Sequence, residues 1–73
     1  MTIGQKIKKL RKAEGLKQYE LAEKLGVKPG IVCLWETERF EPSMFSCILI
    51  ADFFNISLDE LCRSYSEKEE NNG

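Results

Sequence analysis

The side chains with most scope for bond-making chemistry are three cysteines, Cys33, Cys47 and Cys62, because the 73-residue chain contains no histidine. Without histidine, the commonest acid/base group and metal ligand near neutral pH is missing. The cysteines stand 14 residues (33 to 47) and 15 residues (47 to 62) apart with no C-x-x-C pair, so neither zinc-site nor redox-motif spacing is present. An odd cysteine count does not suit a disulfide framework either. Each cysteine lies in an apolar stretch and reads as a small buried hydrophobe in a reducing cytosol. No nucleophile, base and metal ligands converge in the sequence. An enzyme is therefore not expected, nor a metal or cofactor, and a binding module is.

Charge is the next candidate for function. Eleven Lys and Arg oppose twelve Asp and Glu, a net charge of −1. The distribution is uneven: residues 1–40 carry nine basic and five acidic groups, whereas residues 41–73 carry two basic and seven acidic ones. A basic face can steer a polyanion although the whole chain is slightly acidic. The run from Lys6 to Lys12 suits that role and equally suits the solvated face of an amphipathic helix. The longest apolar run, 47–51, is far too short for a membrane span. No apolar signal segment follows Lys6, so a soluble, cytoplasmic protein without membrane contact is expected.

Five short helices must position these groups. Thr2 with Gln5 forms a capping box, and Ile3, Ile7 and Leu10 then recur as the apolar stripe of a helix that Gly15 stops. A second helix spans about Gln18 to Leu25, with Leu21, Ala22 and Leu25 inward and Gly26 as its stop. Pro29 suits the first turn of a third helix, whose Val32 and Trp35 share an inward face. Thr37 to Pro42 is a loop. Ser43 caps a fourth helix reaching about Phe54, with Asn55 beyond its end. Ser57 with Glu60 opens a fifth, from Leu58 to about Arg63. Residues 1–65 thus form one domain. Residues 66–73, SEKEENNG, have no apolar anchor and read as an acidic, disordered tail.

The connection between the second and third helices is about three residues and contains a glycine, which fits a helix-turn-helix. Here the chain resembles the Cro/repressor-type, or xenobiotic-response-element, helix-turn-helix family. The matching segments are IGQKIKKLRKAEGLKQYELAEKLGV, the pair Trp35-Glu36, EPS at 41–43 and IADFFNISLDEL at 50–61. The resemblance implies an all-α, compact five-helix lambda-repressor-like domain whose third helix enters the major groove of double-stranded DNA. It also implies that Arg11 pairs with Glu36, tying the first helix to the end of the third. Gln18, at the start of the second helix, stands where side-chain and backbone donors bind a phosphate.

Departures from the family pattern bear on function. Lys17 and Lys28 replace the neutral caps of the second and third helices, losing about 1 kcal/mol each while adding positive charge beside the expected DNA face. Thr37-Glu38 replaces an Asn-Gly turn, which removes the residue suited to positive φ. The expected groove-facing residues are Pro29, Gly30, Ile31 and Leu34, none able to make the bidentate hydrogen bonds that read guanine or adenine. Thr37 and Arg39 complete the expected DNA contacts. In the fourth helix, Met44, Cys47, Ile48, Ala51 and Phe54 suffice for the core. That leaves Phe45, Leu49 and Phe53 as a second apolar stripe, expected at a homodimer interface. The expected function is a transcriptional regulator occupying operator DNA as a homodimer, with no small-molecule ligand. The alternative is a protein-interaction module that kept the fold and lost operator recognition.

Overall fold

The computed structural model describes residues 1–63. Thr2 Oγ1 accepts from the Gln5 N–H at 3.1 Å and Gln5 Oε1 accepts from the Thr2 N–H at 3.0 Å. This reciprocal cap starts α1 (Ile3–Ala13). Three more helices follow, α2 (Gln18–Leu25), α3 (Pro29–Glu36) and α4 (Met44–Phe54), and α5 covers residues 58–63 of the described chain. Among the described residues there is no strand, and no helix is long and apolar enough to cross a membrane. The expectation for the tail at 66–73 lies outside the described residues.

The core is built where the apolar stripes meet. Ile7 from α1, Leu21 and Ala22 from α2, Val32 from α3, Ile50 from α4 and Leu61 from α5 are fully excluded from solvent. Trp35, Leu25, Cys47 and Ala51 close the cluster. Burying a side chain of this size stabilises by roughly 1.5–3 kcal/mol, so a cluster drawn from all five helices holds each of them. α3 packs against both α1 and α2, and α2 also rests on α4.

The fourth helix corrects one expectation. Cys47, Ala51 and half-buried Phe54 face inward as expected, but Met44 and Ile48 are exposed and Ile50 takes the central position. Leu49 and Phe53, expected on the outer stripe, pack partly against the core, and Phe45 alone of that stripe is exposed. With nine of its eleven residues apolar, α4 offers no polar face to set its rotation. Its orientation follows from the space the other helices leave.

The loop after α3 corrects another. Glu38 adopts φ 63°, so the left-handed turn persists without asparagine or glycine. It is held by the Glu38 N–H on the Trp35 carbonyl at 3.1 Å and the Arg39 N–H on the Leu34 carbonyl at 3.0 Å. Thr2 Oγ1 also donates to Glu38 Oε2 at 3.1 Å. A non-glycine residue there costs roughly 1–2 kcal/mol, and asparagine tolerates it better. Glu38→Asn should therefore raise stability by about 0.5–1 kcal/mol, a Tm gain of several degrees for a domain this small. A lower Tm in a thermal melt would mean that the Thr2–Glu38 bond outweighs the backbone strain.

Candidate nucleic-acid interface

The unit that presents a surface is α2–turn–α3. Gly26 takes φ 76° and ends α2, and the next N–H, from Val27, bonds the Ala22 carbonyl at 3.0 Å. That compact turn needs a residue free to adopt the left-handed region, which is what glycine supplies. Val27 then packs on the core and Lys28 is extended, so Pro29 starts α3 after three residues. α3 inserts Val32 and Trp35 into the core, and Ile31 leans partly against it. Gly30, Cys33, Leu34 and Thr37 follow at helical spacing on the opposite face. Gly30, Cys33 and Thr37 are exposed, and Leu34 is half-buried.

One ion pair locks this unit to α1. Arg11 Nε lies 2.6 Å from Glu36 Oε2, and its Nη2 lies 3.0 Å from Oε1, a two-pronged contact with side chains 9% and 2% exposed. Arg11 Nη1 donates to the Leu16 carbonyl at 2.7 Å, and Gln18 Nε2 donates to Glu36 Oε1 at 3.0 Å. The hydrogen bond that Arg11 donates to Glu36 is the main cause that raises the Arg11 pKa, with burial opposing and the carboxylate's charge adding. Four segments meet here: α1, the loop before α2, the first turn of α2 and the last turn of α3. Their relative angles are set by directional bonds as well as by packing.

The positive groups sit at the rim. Lys17, Lys28 and Arg39 are exposed, and the ion pairs seen among the described residues do not involve them. Lys17 and Lys28 occupy the N-cap positions of α2 and α3, and neither helix has a side-chain cap. Instead the Glu20 carboxylate accepts from the Lys17 N–H at 2.8 Å. By contrast, α1 and α4 are capped by the Thr2 and Ser43 hydroxyls, and Ser57 Oγ accepts from the Glu60 N–H at 2.9 Å. The first-turn N–H groups of α2 are thus left to another acceptor, behind Lys17. In α3, Pro29 has no N–H and the Ile31 N–H bonds the Lys28 carbonyl at 3.0 Å, which leaves the Gly30 N–H, behind Lys28. A helix N-terminus of this kind favours an anion.

The structure brings Arg11 and Glu36 together, and sets Pro29, Gly30 and Thr37 at the surface with the three cations. It changes three other placements. Ile31 is shared with the core and is only partly available to a groove. The Gln18 side chain, expected on a phosphate, is tied to Glu36, which leaves its second amide hydrogen and its backbone N–H. Cys33, expected buried, is exposed in the middle of the outer face of α3. The phase set by Val32 and Trp35 on a 3.6-residue helix already turns residue 33 outward. Cys47 is buried, with its thiol pushed up chiefly by that burial and further by Cys62. A thiol reagent at neutral pH should therefore label Cys33 first and Cys47 last, as read by peptide mass spectrometry. Equal labelling of the two would contradict the placement of α3.

The sequence model of the family described as Helix-turn-helix matches residues 7–61. The chain is 36% identical over 61 residues to the HTH-type transcriptional activator BcrR of Enterococcus faecalis, covering 84% of this chain and 30% of that protein. It is 33% identical over 61 residues to the immunity repressor protein of Bacillus phage phi105, covering 84% of this chain and 42% of that protein. It is 30% identical over 69 residues to the cryptic phage CTXphi transcriptional repressor RstR of Vibrio cholerae, covering 94% and 62%. The chain thus spans less than two thirds of the length of each of these relatives. Among solved structures, the P22 c2 repressor in complex with synthetic operator 9T superposes with a TM-score of 0.77 at 24% identity. That match covers 84% of this chain and 92% of the other, and supports the fold.

Proposed function

The chain belongs to the helix-turn-helix family, and from that premise we propose that it is a transcriptional regulator that binds double-stranded operator DNA as a homodimer. The observation that carries this reading is the pair of uncapped N-termini on α2 and α3, each behind an exposed lysine. They leave backbone donors and positive charge where a phosphate backbone can be gripped. We read the protein as a binding protein of the cytoplasm and not an enzyme, in keeping with a chain that has no histidine.

In this reading α3 lies in the major groove. Lys17, Lys28 and Arg39 hold phosphates, joined by the α2 N-terminus at Gln18. Base contacts come from Gly30, Cys33, Leu34 and the exposed edge of Ile31. These groups cannot make bidentate hydrogen bonds, and the Thr37 hydroxyl already donates to the Cys33 carbonyl at 2.8 Å. Methyl and thiol contacts with the C5-methyl of thymine are what such a face can offer, so direct readout is weak and biased to A·T pairs. The remaining specificity comes from DNA shape and half-site spacing.

Binding should weaken steeply with salt, with a log–log slope of about −0.9 per phosphate contacted. Lys28→Ala should make that slope shallower by about 1 without changing sequence preference. Fluorescence anisotropy across a salt series checks this, using a site selected from a random DNA pool at low salt. The same apolar α3 face favours a second reading, a docking module for another protein. The absence of any DNA binding at low salt would decide for that second reading.

A further inference from the structure

A cleft of about 140 Å³ opens where the loop after α3 meets the first turn of α1. Buried Trp35 and half-buried Ile3 form its depth, and Phe40, Glu38 and Glu41, all exposed, form its mouth. Phe40 is 60% exposed and takes no part in the core. The ion pairs seen among the described residues involve neither Glu38 nor Glu41. Glu38 is fixed in place: its Oε2 accepts from the Thr2 hydroxyl at 3.1 Å, and its backbone is held at φ 63°. That bond occupies one carboxylate oxygen and neutralises no charge. We propose that the cleft is a binding site for a small organic cation, an ammonium carried on a ring or a short apolar chain.

The lining selects that class of ligand. An apolar depth accepts a hydrocarbon body. A bare metal ion needs several oxygen ligands at once, and no group of three or more metal-ligating side chains gathers among the described residues. None of the residues lining the cleft is basic, so its two carboxylates favour a positive head over a neutral or negative one. The N-terminus of α1 opposes this with about half a positive charge, which two whole negative charges outweigh. Phe40 adds the electron-rich face of its ring, which attracts a cation within about 6 Å. Drug-sized ligands take about 300–1,000 Å³, so a body of one ring is what this cleft holds. The site departs from the sequence expectation of no small-molecule ligand, because residues 2–3 and 35–41 come together only in the fold. It also adjoins Arg39, assigned above to a phosphate. A bound cation offsets Glu38 and Glu41 beside that contact, so it tightens DNA binding, a coupling that rests on the operator reading.

The test is a titration of the DNA-free chain with phenethylammonium chloride, followed by amide shifts in two-dimensional NMR. The signals of Gly4, Glu38, Phe40 and Glu41 should move together and saturate, with a dissociation constant of about 1 mM or lower. That affinity is within reach of a ligand of about nine heavy atoms. Phenethyl alcohol, the same body without the charge, should bind about fivefold more weakly. Glu41→Gln and Phe40→Ala, both at exposed positions and both folded by circular dichroism, should each weaken the amine about two- to fivefold. No saturation by about 10 mM, equal binding of the alcohol, or unchanged affinity in both variants would overturn the site. At constant ionic strength, saturating amine should raise affinity for the selected DNA site about two- to fivefold. An unchanged DNA affinity would overturn the coupling alone. The first titration contains no DNA, so the site and the operator reading fail separately.

Discussion

Replacing Glu36 with alanine should remove about 3–5 kcal/mol of stability, the cost of leaving a buried charge without its partner. Glu36 accepts from Arg11 Nε at 2.6 Å, from Arg11 Nη2 at 3.0 Å and from Gln18 Nε2 at 3.0 Å, with its side chain only 2% exposed. Removing the carboxylate leaves the guanidinium in the interior with a single bond, to the Leu16 carbonyl. A chain of this size has on the order of 4–11 kcal/mol in total, so the loss is a large share of the whole and should show as a much lower urea midpoint. Arg11→Met should cost a similar amount by stranding the carboxylate. Combining Arg11→Met with Glu36→Leu should recover much of the loss, because removing both charges removes the desolvation penalty as well. Gln18→Ala should cost only about 1 kcal/mol, the worth of one hydrogen bond to a charged group at the low end. Urea melts of these variants, with the single Glu36→Leu added to close the cycle, measure the coupling directly. Single substitutions within about 1 kcal/mol of wild type would show that packing, and not this pair, fixes α3 against α1.

Gly4→Val should be the second large loss, by about 3 kcal/mol. Gly4 is buried in the first turn of α1, where the helix meets the end of α3. A Cβ there would overlap the Trp35 carbonyl oxygen, which is backbone and cannot rotate away, and would also come within 3.3 Å of Glu38 Cγ. Gly4→Ala gains up to about 1 kcal/mol of helix propensity but meets the same overlap, so it too should destabilise, by less. The two variants also test whether the α1–α3 contact matters for the proposed DNA binding. If α1 is pushed off α3, operator affinity should fall together with the melting temperature. A Gly4→Ala protein that melts higher than wild type would mean that α1 and α3 stand further apart in solution.

Much of the fold was legible without coordinates because its signals are local. A capping hydroxyl, a glycine able to take positive φ and an apolar stripe at 3.6-residue spacing each act within a few residues. Thr2 with Gln5, Gly26, Pro29, Ser43, Asn55 and Ser57 therefore mark helix ends in the sequence as they do in the structure. The Arg11–Glu36 pair was legible in another way. Its partners are 25 residues apart, and only the likeness to a family connects them. The basic rim at Lys17, Lys28 and Arg39 was legible because long charged side chains seldom lie inside.

The tertiary structure alone decided the rest, wherever local preference was balanced. α4 is apolar nearly all round, so its own residues assign no inner face. The neighbouring helices turned Ile50 inward, drew Leu49 and Phe53 against the core and left Met44, Phe45 and Ile48 outside. Gln18 could serve a phosphate or a carboxylate, and the approach of α3 supplied the carboxylate. Glu38 disfavours positive φ, yet the closure of the loop onto Leu34 and Trp35 imposes it. Local chemistry thus set where the helices begin and end. Which side of an all-apolar helix meets solvent, and which donor meets which acceptor across the fold, depended on contacts between segments distant in the chain, each too weak to act before the core assembles.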